Sequence, residues 1–167
     1  TRRKFQEWAA SPEGKKLAPL SLMSFCCLFS YTILRDTKDV IMVTAPHSGA
    51  EVIPFLKTYV TLPGAILWAV IYSKLSNNFS QITLFYSIVG AFITYFGSFA
   101  WIIYPNHAYL HPTAMADALA ATLPPSFFAP ISIFRNWTFS MFYFIAEMWG
   151  SVVISILFWG MANQICS

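Results

Sequence analysis

WTFSMFYFIAEMWGSVVISILFWGMA, residues Trp137 to Ala162, is an apolar run of 26 residues with a single charge, Glu147. At about 1.5 Å per residue, a helix of this length exceeds the roughly 30 Å hydrocarbon core of a bilayer. Glu147 then falls near the membrane midplane. A charge costs at least about 2.5–3.5 kcal/mol there, so a retained carboxylate points to a substrate or ion pathway. The bland alternative is a packing role, with Glu147 paired to a buried base and the Ser and Gly residues letting helices approach.

Composition extends this reading to the whole chain. It has 167 residues, 57% hydrophobic, 18% aromatic and only 10% charged, against about 25% charged in soluble domains. Three further apolar stretches precede Trp137. Leu17–Leu34 is uncharged and can run on past Arg35, Asp36, Lys38 and Asp39 to about Val43 in a tilted path. Val52–Tyr72 is interrupted by Pro54, Lys57 and Pro63, and Ile82–Tyr104 is uncharged. The fourth helix is expected to begin near Ile131–Asn136. The expectation is an all-α membrane protein with about four transmembrane helices. Residues 1–16 would be a cytoplasmic lead-in, 17–162 the membrane portion, 105–130 an outer loop and 163–167 the start of a cytoplasmic connection. The chain starts without Met and stops directly after an apolar run, so it is expected to be part of a longer protein.

Charge sets the orientation. Arg2, Arg3, Lys4, Lys15 and Lys16 hold half of the basic residues, whereas 46–51 and 105–130 contain no Lys or Arg. The positive-inside rule then puts both ends in the cytoplasm or its equivalent. Within the long loop, Pro112–Leu123 suits a short surface helix ended by Pro124-Pro125. The net charge of +3 is not gathered into a soluble patch, so no nucleic-acid partner is expected. Cys26, Cys27 and Cys166 lack metal-ligand spacing. There is no GxxxxGK[ST] loop, HExxH or GxSxG, hence no visible ATPase, zinc-protease or serine-hydrolase machinery. No cofactor is expected. His47, His107 and His111 read as surface loop residues.

At about 100° per residue, Asn136, Ser140, Tyr143, Glu147, Ser151 and Ser155 share one arc of the fourth helix. Phe142, Ile145, Trp149, Val153 and Ile156 lie opposite, facing lipid or packing. On the first helix, Ser24, Tyr31, Arg35 and Lys38 share a face, and Arg35 and Asp39 are spaced to pair. Two bases on one face make an anion site, or else a solvated cluster at a helix end. Lys57 can snorkel to the interface or face a cavity. The neighbouring prolines favour the cavity, because freed backbone groups need protein or water. Arg135 reads as an interface anchor, with a site role as the lesser alternative.

Longer motifs carry a resemblance. LRDTKDVIMVTAPHSGAEVIPFLKTYVTLPGAILWAVIYSKLSN (Leu34–Asn77) and RNWTFSMFYFIAEMWGSVVISILFWGMANQI (Arg135–Ile165) resemble signature regions of the nucleotide transporter family. These are the ATP/ADP translocases of plastids and of obligate intracellular bacteria. LFYSIV (Leu84–Val89) and YPNHAYLHPTAMADAL (Tyr104–Leu119) follow the same pattern. The resemblance implies a major-facilitator-like bundle of about a dozen spans in two halves, of which this chain supplies the first four. It implies a transporter rather than an enzyme, in a bacterial inner membrane or a plastid inner envelope. ATP, ADP and phosphate would be its substrates, by antiport, with nucleotide–proton symport or NAD transport as family alternatives. Its partners would be the lipid bilayer and the remaining helices. The family's critical lysine and glutamate match Lys57 and Glu147. With Arg35, Lys38, Tyr143 and Asn136 they form the expected substrate-binding set. A reading of another class is a non-transporting four-helix subunit whose charges pair internally.

Overall fold

The computed structural model describes residues 12–158, and among them the only regular structure is helical. Most of the expected lead-in, residues 1–11, and the end segment 163–167 lie outside the described residues.

The first apolar stretch is one helix, α1 (Pro12–Val43), which runs unbroken through the Arg35–Asp39 charge cluster. A short loop leads to α2 (Val52–Asn78), and Ser80 then caps α3 (Gln81–Ile103) by accepting from the Thr83 N–H. Among the described residues, Ala18–Val43, α2 and α3 are the three helices long and apolar enough to cross a membrane. The long loop folds into a turn, α4 (His107–Leu110), and the short helix α5 (Thr113–Thr122). The fourth apolar stretch is entered by α6 (Phe128–Arg135), broken at Asn136, and continued by α7 (Trp137–Met148), which widens into a π-helix over Trp149–Phe158.

Two other π turns have a visible cause. In α2 the turn Lys57–Thr61 precedes Pro63, and Leu62 N–H reaches back five residues to the Lys57 carbonyl. In α3 the turn Phe99–Ile103 precedes Pro105, and Tyr104 N–H bonds the Phe99 carbonyl at 2.7 Å. A proline has no N–H to give the carbonyl four residues back, so the ladder locally shifts to the wider spacing.

α7 is the central element. Its Tyr143 and Ala146 pack with Met42 of α1 and Leu56 of α2 in one core cluster, while Met148, Trp149, Val152 and Val153 pack with Cys27, Leu84, Ile88 and Phe92 in the other. The face opposite the polar arc therefore meets α3 rather than lipid. Phe142 stacks on Phe99 at 4.3 Å between centroids, and Trp149 sits edge-on to Phe92 at 5.5 Å. Such aromatic pairs add about 0.5–1.5 kcal/mol beyond their area.

Candidate functional site

Ser140, Tyr143 and Glu147 of the polar arc meet α1, and the two helices run antiparallel. Contacts pair rising numbers on one with falling numbers on the other. Asn136 Nδ2 donates to the Pro46 carbonyl at 3.0 Å, Ser140 Oγ lies 3.8 Å from Met42 Sδ, and Gly150 abuts Tyr31. A Cβ on Gly150 would sit 2.5 Å from Tyr31 Cε2, so this approach depends on glycine. That register carries Lys38 onto the turn of α7 that holds Tyr143 and Glu147.

There Lys38, only 3% exposed, lies between two carboxylates. Its Nζ is 2.7 Å from Asp39 Oδ1 and 3.0 Å from Glu147 Oε2. The same ammonium sits 4.0 Å from the centroid of the Tyr143 ring, and Tyr143 is wholly buried. Two anions and a ring face offset the desolvation of one ammonium. The cluster has one more carboxylate than base. Asp39 and Glu147 stay partly open, at 44% and 30% exposure, so the buried cation is reachable from the carboxylate side.

Of the residues expected at the site, the structure brings together Lys38, Tyr143 and Glu147. Arg35, one turn before Lys38, is exposed, and Asp39 bonds Lys38 rather than the expected Arg35. Lys57 is exposed too, at the start of its π turn beside the Phe55–Tyr59 ring pair at 4.3 Å. Asn136 lies eleven residues from Glu147, about 16 Å along a helix. It is fully buried and bonds the Pro46 and Ser132 carbonyls, tying the α1–α2 loop to the α6–α7 break.

Two residues differ from expectation. His111 is buried rather than on the surface, with Nε2 2.6 Å from Thr138 Oγ1. Arg135 is buried and ion-paired with Asp117 of α5, so it is no interface anchor. Both follow from α4 and α5 folding back onto the start of α7, where Trp137 Nε1 also donates to the Leu110 carbonyl at 2.9 Å. Asp39 was not singled out as a site residue, although its adjacency to Lys38 was the available signal. A cavity of about 610 Å³ between α2, α3 and α7 is lined by residues such as Trp68, Phe92, Tyr95 and Phe144. It contains neither Lys38 nor Glu147 and offers no charge to an anion.

A family model described as TLC ATP/ADP transporter matches residues 8–167. The chain is 59% identical over 151 residues to ADP,ATP carrier protein 1, chloroplastic, of Arabidopsis thaliana, covering 90% of this chain and 24% of that protein. It is 52% identical over 153 residues to ADP,ATP carrier protein 1 of Chlamydia muridarum, covering 92% of this chain and 29% of that protein. To ADP,ATP carrier protein 1 of Rickettsia bellii it is 42% identical over 153 residues, 92% of this chain and 30% of that protein. The chain thus spans between about a quarter and a third of the length of these relatives. No solved structure gives a significant match. With a family match over nearly its whole length, spanning-length helices and a buried charge cluster between two of them, this chain belongs to the TLC ATP/ADP transporter family.

Proposed function

We propose that the protein containing this chain exchanges ATP for ADP across its membrane by alternating access, with the α1–α7 contact forming one wall of the substrate cavity. The observation that carries this reading is the Lys38 ammonium, buried in a spanning helix and held by Glu147 at 3.0 Å. The names of the relatives support the nucleotide, and the chemistry of the cluster supports an anion.

In the empty site Glu147 and Asp39 neutralise Lys38. Nucleotide phosphates take the place of Glu147 at the ammonium, because they are stronger anions and bring several acceptor oxygens. Glu147 then turns to a ribose or base donor or to another cation. Lys57 and Arg35, exposed on α2 and α1, supply further positive charge as the second half of a major-facilitator-like bundle closes over the cavity. Tyr143 holds Lys38 in place from beneath, and Asn136 sets the register of the helices that carry the site. Returning the site to its carboxylate-clamped state releases the phosphates on the other side. The lipid bilayer, the remaining helices and a co-transported phosphate complete this picture.

Uptake of labelled ATP by intact cells expressing the full-length protein tests it. Lys57→Ala, Lys38→Ala and Glu147→Ala should each cut uptake at least about tenfold, since one charge-assisted contact is worth about 1.5–3 kcal/mol. Near-normal uptake by Lys38→Ala, Lys57→Ala or Glu147→Ala would sink the assignment. Preloading with ADP should stimulate uptake. Stimulation by an imposed proton gradient alone would replace antiport with symport.

A further inference from the structure

We infer a second anion site, for a phosphate-bearing ligand, where α5, α6 and the α1–α2 loop meet. A cavity of about 440 Å³ lies there, within the range of ligand pockets. Its polar lining is His47, Ser132 and Arg135. Arg135 is 5% exposed and Ser132 is 1% exposed. Arg135 donates from one terminal nitrogen to Asp117, but its Nε–H and the Ser132 hydroxyl have no partner. These two donors are three residues apart on α6 and so share a face. A guanidinium is always charged and offers only donors.

Asp117 engages only one terminal nitrogen of Arg135, and its carboxylate is 64% exposed, so solvent screening weakens the pair. A buried cation with an idle N–H, beside an idle hydroxyl, calls for an acceptor that presents several oxygens. A phosphate group does so, and arginine matches it in geometry as well as charge. The rest of the lining, including Leu123, Pro124, Phe128 and Ile131, is apolar and suits the carbon skeleton attached to such a phosphate. The site stands apart from the Lys38 cluster. Ser132 lies on α6 before the Asn136 break, and Glu147 lies eleven residues beyond Asn136, about 16 Å of helix rise along α7. The inference does not depend on the transport reading.

The test uses the full-length protein purified in detergent and in nanodiscs. Binding of labelled inorganic phosphate is measured at equilibrium, and retained phosphatidylglycerol is counted against phosphatidylcholine by native mass spectrometry. Arg135→Gln should weaken Arg135-site binding about tenfold, as expected for one lost charge-assisted contact. Ser132→Ala should weaken it about threefold with an unchanged melting temperature, because its hydroxyl has no partner to lose. Asp117→Asn severs the same ion pair yet keeps the cation, and should bind as tightly as the parent or more tightly. Direct phosphate binding, or displacement of the lipid by millimolar phosphate, identifies a free anion as the source. Phosphatidylglycerol retained despite phosphate identifies a lipid headgroup. The inference is overturned if neither probe binds above background, if Arg135→Gln and Ser132→Ala bind like the parent, or if Asp117→Asn loses binding as Arg135→Gln does.

Discussion

At the scale of single residues, Glu147 and Lys38 define each other. Removing one partner of a buried ion pair leaves the other charged in a poor solvent, which costs about 3–5 kcal/mol when burial is complete. Glu147 is 30% exposed and Asp39 remains beside Lys38, so the cost here is smaller. Glu147→Gln and Lys38→Met should each lower the melting temperature of the full-length protein. The double variant should lose less than the sum of the two, by at least about 0.5 kcal/mol, the level at which contacting residues show coupling. Additive losses would mean that the pair does not couple. Glu147 was legible in the sequence because it is the only charge in a long apolar run. Lys38 was legible only as one of several bases, Arg35 and Lys57 among them. Which base meets Glu147 depends on the register of α1 against α7. That register is set by remote contacts such as Asn136 with Pro46 and Gly150 with Tyr31, and no local pattern encodes it.

At the scale of elements, the helices followed from apolar run length, and the short helix α5 from the prolines around it. How α4 and α5 sit on α7 was not readable. A histidine in a polar loop looks solvated until the loop folds back, and then His111 lies against Thr138 and the Phe139 ring, 4.8 Å between centroids. Burial first, and then the neighbouring His107, hold the His111 imidazole below its ordinary value of 6.5. The folded state therefore keeps the neutral ring, while the unfolded chain takes up a proton near pH 6.5. The stability that this contact contributes is complete above that pH. It is lost as pH falls through the lowered folded value. Thermal melts between neutral and mildly acidic pH should show a fall in stability that His111→Gln reduces, since glutamine keeps a hydrogen-bonding group and does not titrate. An equal fall in the variant would place the acid sensitivity elsewhere. The same folding-back buries Arg135 and creates the Asp117 pair. Both were hidden for the same reason, a contact between residues eighteen apart across two turns.

At the scale of the whole molecule, the exposed surface is as informative as the core. α1 and α2 present Leu22, Phe25, Phe29, Ile66 and Leu67 outward, each more than half exposed. Such faces belong against lipid or further helices, in keeping with a chain that spans only part of its relatives' length. Short connections make α1, α2 and α3 successively antiparallel, and α7 runs antiparallel to α1, so one orientation fixes all of them. From the distribution of Lys and Arg we propose that the α3–α6 connection lies on the outer side and the α2–α3 turn on the cytoplasmic side. Tyr109, 91% exposed, marks the first of these and the exposed Asn77 marks the second. With Cys26, Cys27, Cys166 and any further cysteines of the full-length protein replaced, Tyr109→Cys should react with a membrane-impermeant maleimide on intact cells. Asn77→Cys should react only after permeabilisation. The reverse pattern would invert the topology and place the Arg135 cavity on the cytoplasmic side. The Lys38–Glu147 cluster would keep its depth, because that depth is set by helix register rather than by the direction in which the helices enter the membrane.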